Sequence, residues 1–95
     1  MKYGLSNEIY DEIKKIINKY SAYQFKIFGS RARGDYKKNS DIDIAVFGDV
    51  SEQDKFLILN EFDLINMQYT IDIVFMKNIE KQSLIDSILK EGVEF

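Results

Sequence analysis

Phe28-Gly29-Ser30-Arg31-Ala32-Arg33-Gly34-Asp35 and, a few residues on, Ser40-Asp41-Ile42-Asp43-Ile44-Ala45-Val46-Phe47 decide how this chain is read. The second run carries Ile42, Ile44 and Val46 at every other position, stops at Gly48-Asp49, and reads as a strand from Asp41 to Phe47. Two residues apart on a strand, Asp41 and Asp43 leave the same face, about 6.5–7 Å apart along the chain. Ala45 and Phe47 follow on that face, so the strand is apolar on both sides apart from two carboxylates. Such carboxylates repel each other and lose hydration, and a divalent cation between them relieves both costs.

An isolated Asp-x-Asp is more often a solvated strand entrance than a ligand set. Three neighbouring features shift that balance. Asp72 is a second lone carboxylate in an apolar strand, Tyr69-Thr70-Ile71-Asp72-Ile73-Val74-Phe75. If the two strands pair, three carboxylates converge, as a two-metal phosphoryl-transfer site requires. Gly29-Ser30 ends an earlier strand and turns at once into a polar segment. Backbone N–H groups and a hydroxyl can meet a phosphate there because glycine puts no side chain in the way. No Gly-Lys-Ser/Thr follows, so this is not a P-loop. Arg31, Arg33, Lys37 and Lys38 lie between the turn and the carboxylates, where they could clamp a polyphosphate.

Outward from this centre, the chain alternates helix and strand. Ile9, Ile13, Ile16, Ile17 and Tyr20 make one helical stripe over about Asn7–Tyr20, with Ser6 as N-cap and Glu8 in the first turn. Tyr23 to Ile27 alternates as a strand and ends at Phe28-Gly29, and Ser30 to Ser40 opens with a short helical turn. Ser51 and Asp54 fit a capping box for a helix to about Ile65 that carries Phe56, Leu57, Leu59 and Phe62 as its core residues. A last helix, about Glu80–Glu91, buries Leu84, Ile85 and Ile88, with Gly92 placed for a left-handed C-cap. The order αβ(α)βαβα predicts one small layered domain over residues 1–95, of α+β class with α/β-like alternation, its three strands packed with helices.

Composition excludes much of the alternative chemistry. Among 95 residues there is no Cys, His, Pro or Trp, so disulfides, thiol nucleophiles, His-based triads and zinc sites are unavailable. A bound metal must be held by oxygens, which favours hard cations such as Mg²⁺, Mn²⁺ or Ca²⁺, and acid–base work falls to Asp, Glu, Lys or Tyr. Residues 1–47 hold nine Lys and Arg against six Asp and Glu (+3), and residues 48–95 hold four against ten (−6). One small basic patch on an acidic protein suits a local anion site better than a nucleic-acid-binding face. No run approaches the roughly 20 apolar residues of a membrane span, and residues 1–10 lack a signal-peptide core, so a cytoplasmic protein is expected.

Gly29-Ser30, ten intervening residues and Asp41-Ile42-Asp43 together resemble the signature of the polymerase-beta-like nucleotidyltransferase superfamily. Within it the run Phe28–Asp35 leading to Ser40–Ile44 is similar to the minimal nucleotidyltransferases of bacteria and archaea, and the resemblance extends over nearly the whole chain. It implies the nucleotidyltransferase fold with a mixed sheet, and a reaction in which a hydroxyl attacks the α-phosphorus of a Mg²⁺-bound NTP. Gly29 and Ser30 would then hold the β- and γ-phosphates, with Arg31 and Arg33 as further nucleotide contacts. Asp41 and Asp43 would ligate two metals, and Asp72 would complete the catalytic one. The resemblance further implies ATP or another NTP as donor and a helical HEPN-type toxin as partner, with AMP transfer as the antitoxin action. Two readings compete with it: a non-catalytic antitoxin that blocks its partner sterically, and a small-molecule nucleotidyltransferase, for which so short a chain offers no evident acceptor pocket. Homo- or hetero-oligomers are compatible with all three.

Overall fold

The computed structural model describes residues 2–65 and 69–95. Its elements follow the expected order: α1 (Asn7–Lys19), β1 (Gln24–Phe28), α2 (Ser30–Arg33), β2 (Ile42–Phe47), α3 (Glu52–Asp63), β3 (Ile71–Phe75), a 3₁₀ turn (Met76–Asn78), α4 (Gln82–Glu91) and β4 (Val93–Glu94). The sheet has four strands rather than three, in the order β3-β2-β1-β4. β2 pairs parallel with β3 through the α3 crossover, and antiparallel with β1. The extra strand is two residues long and antiparallel to β1, too short to show alternation in the sequence.

One face of the sheet carries Phe25, Ile27, Ile42, Ile44 and Val46, all buried, against Ile13 and Ile16 of α1 and Ile58 and Phe62 of α3. The α1 stripe is as expected. In α3 the outcome differs: Ile58 and Phe62 enter the core, whereas Phe56, Leu57 and Leu59 are exposed, Phe56 at 69%. Apolar residues occur nearly all round this helix, so periodicity could not single out its inner face. Ser51 caps α3, its hydroxyl accepting from the Asp54 N–H at 3.1 Å. The reciprocal half of the box is replaced, because the Asp54 carboxylate accepts from the Tyr23 hydroxyl instead. A second tyrosine, Tyr20, donates to Glu61, and the two bonds tie α3 to the α1–β1 segment.

Gly92 does not adopt the expected left-handed conformation; at φ −64° and ψ 135° it is extended and leads directly into β4. Space is what it supplies, since a Cβ there would lie 2.5 Å from the Ile88 carbonyl oxygen. Beyond it the Phe95 N–H bonds the Phe25 carbonyl, and the Phe95 ring stacks on Tyr10.

Arg31 corrects an expectation about the basic loop. It is almost fully buried, donating through Nη1 to the Tyr3 carbonyl at 2.8 Å and through Nε and Nη2 to the Ser40 carbonyl at 3.2 and 2.8 Å. Its guanidinium also lies against the rings of Tyr36 and Tyr69. With those donors turned to carbonyls, Arg31 pins the Ser30–Ser40 loop rather than reaching outward for a phosphate. Tyr36 and Tyr69 are thereby held in one cluster with the loop. Arg31→Met is expected to lower stability by about 2–4 kcal/mol, because two partly buried carbonyls lose their donor. A denaturant midpoint within error of the parent would refute that role.

Candidate active site

The core residues Ile42 and Ile44 fix β2 in the sheet, and that choice dictates which side the aspartates take. Asp43 stands between them on the opposite face, and the parallel register sets it directly beside Asp72 of β3. Neighbouring strands run about 4.8 Å apart, so the two carboxylates are adjacent across the ladder. Asp41, immediately before β2, is exposed and close enough for its charge to act on Asp43. On the other flank Asp43 is in register with Phe28 of β1, the residue before Gly29.

Gly29 has φ +74° and ψ −156°, a conformation that essentially only glycine adopts. A Cβ there would stand 2.5 Å from Asp43 Oδ2. The turn therefore lies against the carboxylate with no room for a side chain. From Gly29 the chain enters the single turn of α2, where Ala32 and Arg33 N–H groups bond the Gly29 carbonyl. The N–H groups of Ser30 and Arg31 have no partner among the described residues. Two donors and the half-buried Ser30 hydroxyl thus stand beside the carboxylates. Arg33 projects from the far side of the turn, exposed and paired with Glu91 of α4 at 2.6 Å and with Asp35 at 3.3 Å.

The electrostatics follow from this crowding. Burial pushes the Asp43 carboxyl above the usual range, and the charges of Asp72 and Asp41 push it further, against partial relief from Arg31 and Arg33. The side chains do not close on a point. Among the described residues no group of three acidic side chains is gathered tightly enough to enclose an ion. The donor chemistry nevertheless fits a hard divalent cation: oxygen ligands only, like charges on adjacent strands, and a central carboxylate that gains from positive charge. Beside Asp72 a cleft of about 510 Å³ opens between β3 and the end of α3. A second hollow of about 350 Å³, lined by Arg31, Tyr36, Lys37, Lys38 and Tyr69, lies in the basic loop region.

Such a constellation on a mixed sheet defines a nucleotidyltransferase domain. The chain belongs to that family, whose pattern matches residues 10–95. It is 35% identical over 96 residues to a Methanocaldococcus jannaschii protein named among the protein adenylyltransferases, covering 93% of this chain and 95% of that one. It is also 31% identical over 81 residues to the protein adenylyltransferase MntA of Thermococcus cleftensis, covering 84% of this chain and 81% of the other. In fold it is similar to the crystal structure of a toxin–antitoxin with AMP-PNP, with a TM-score of 0.68 at 22% identity, over 94% of this chain and 72% of that one. Among the described residues no helix is long and apolar enough to cross a membrane.

The raised Asp43 carboxyl carries a stability consequence whose sign is fixed. Its ionised form is disfavoured in the fold, so the penalty is absent below the ordinary carboxylate range and fully imposed once pH exceeds the raised value. In metal-free buffer at pH 7, Asp43→Asn should raise the thermal midpoint by about 2–6 °C, a gain that shrinks towards pH 3. A variant no more stable than the parent at pH 7 would refute the repulsion. Gly29→Ala meets both a disfavoured φ and the Asp43 oxygen, and should cost about 2–3 kcal/mol by chemical denaturation; a neutral effect would mean the turn relaxes freely.

Proposed function

We propose that this chain is a Mg²⁺-dependent adenylyltransferase that moves AMP from ATP to a hydroxyl of a partner protein, a HEPN-type toxin, and thereby acts as its antitoxin. The register of Asp43 against Asp72, closed on its other flank by Gly29, is the observation that carries the reading. Membership of the nucleotidyltransferase family and the names of the adenylyltransferase relatives support it.

Asp41 and Asp43 would hold the metal ions, with Asp72 completing the catalytic position. When bound, Mg²⁺ would neutralise phosphate charge and polarise the reacting oxygens. The Ser30 and Arg31 N–H groups and the Ser30 hydroxyl would orient the β- and γ-phosphates against the Gly29 turn. The acceptor oxygen attacks the α-phosphorus and forms the new P–O bond. The bond from that phosphorus to the bridging oxygen breaks, and pyrophosphate leaves with the electron pair. The acceptor proton passes to the carboxylate of Asp72 and then to water. No protein nucleophile is needed, which suits a chain with neither His nor Cys. Arg33, at the exposed end of the turn, is available for the outer phosphates once it exchanges Asp35 or Glu91.

The exposed apolar residues of α3 favour a second reading, in which binding alone neutralises the partner. One experiment separates the two: the purified chain, Mg²⁺ and α-labelled ATP, with and without the product of the adjacent gene, followed by intact mass. The enzyme reading expects AMP on the partner, reduced at least 100-fold by Asp41→Asn. Neutralisation by Asp41→Asn without any transfer would establish the steric reading instead.

A further inference from the structure

Strand β3 is an edge of the sheet, and its open side adjoins the carboxylates. The Thr70 carbonyl accepts from the Ile42 N–H at 2.8 Å, so the main-chain groups of residues 70, 72 and 74 point towards β2. Alternation turns those of Ile71 and Ile73 outward, where they meet no partner among the described residues. Such an edge is a template for another strand. The cleft beside it has Leu59, Phe62 and Ile65 on one wall and Ile71 to Ile73 on the other. Among the described residues Asp63 and Asp72 are its charged lining residues, and no Lys or Arg lines it. Leu59 and the exposed Phe56 carry the apolar surface onward from the cleft along the outside of α3.

We propose that this edge and cleft bind the acceptor segment itself, as an extended peptide that adds a strand to β3 with its hydroxyl-bearing residue opposite Asp72. The proposal rests on the adenylyltransferase reading and specifies what the acceptor must look like. Residues opposite each other on paired strands share a face, so the side chain facing Asp72 projects to the side that holds Asp43 and the Gly29 turn. Its two chain neighbours project to the other side, where Leu59 and Phe62 wait. The pattern selected is therefore apolar–hydroxyl–apolar: main-chain bonds to Ile71 and Ile73 give affinity and alternate side chains give specificity. The acidic lining, within the half of the chain that carries −6, selects Lys or Arg at the segment's ends.

The test uses the whole ¹⁵N-labelled chain and two nine-residue peptides. Both have a central tyrosine and lysines at each end; isoleucine flanks the tyrosine in the first and aspartate in the second. The first peptide is expected to shift the amide signals of Ile71 and Ile73 most, to move those of Leu59 and Phe62, and to slow hydrogen exchange at Ile71 and Ile73. The second peptide should bind at least tenfold more weakly, as should the first peptide to Leu59→Glu, whose exposed site tolerates the change. Equal binding of the two peptides, shifts centred on residues 30–40, or no shift at about 1 mM peptide would each overturn the proposal. So would dimerisation of the free chain through β3, since a second copy would then own the edge. Mg²⁺ with AMP-PNP, added to the same sample, tests the underlying reading separately through the signals of Gly29, Ser30 and Asp43. A nucleotide response without a peptide response removes the docking edge alone; the reverse removes the adenylyltransferase and leaves the edge.

Discussion

Two carboxylates held side by side by a parallel ladder are the constraint around which this domain is arranged. Asp43 and Asp72 repel, yet neither can move away, because Ile42 and Ile44 on one strand and Ile71 and Ile73 on the other are packed on the opposite face. A slip of one residue in either strand would exchange core and charge along its whole length. The hydrophobic core thus does more than stabilise: it sets the spacing at which charge is concentrated. The repulsion that weakens the fold is one that a bound cation would relieve. Function and stability pull against each other at one position.

The surroundings of that position divide by charge. On the β1 side stand the glycine turn, its free N–H groups and the arginines; on the β3 side the surface is acidic and apolar. In the proposed reaction the nucleotide would approach from the turn and the acceptor from the β3 edge, with the carboxylates between them. The Arg31 side chain serves this division by fixing the loop that leads from the turn into β2.

The neighbourhood of Asp43, Asp72 and Gly29 was legible in the sequence because each violates its local pattern. A charge in an apolar strand or a glycine where a strand ends has few structural uses, and their spacing narrows those uses further. The inward turn of the Arg31 side chain was hidden for the opposite reason. It sits among other cations, and nothing in a basic run marks the one member that folds inward onto carbonyls. The fourth strand escaped because two residues cannot alternate, and Gly92 because lack of space and left-handed geometry leave the same letter. The outer face of α3 was hidden by abundance: Phe56, Leu57 and Leu59 look like core until Ile58 and Phe62 are seen to fill it.

The contact between the Gly29 turn and Asp43 also bears on heredity. The turn accepts glycine alone, and what it makes room for is an oxygen of one particular carboxylate. Lengthening the acid to Glu crowds the turn, and adding any side chain to the turn displaces the acid. A single step at either position is costly while its neighbour stays as it is. Variation in a lineage of such domains is therefore channelled away from the centre, towards the basic loop, the outer face of α3 and the open edge of β3, where new partners can be tried without disturbing the chemistry.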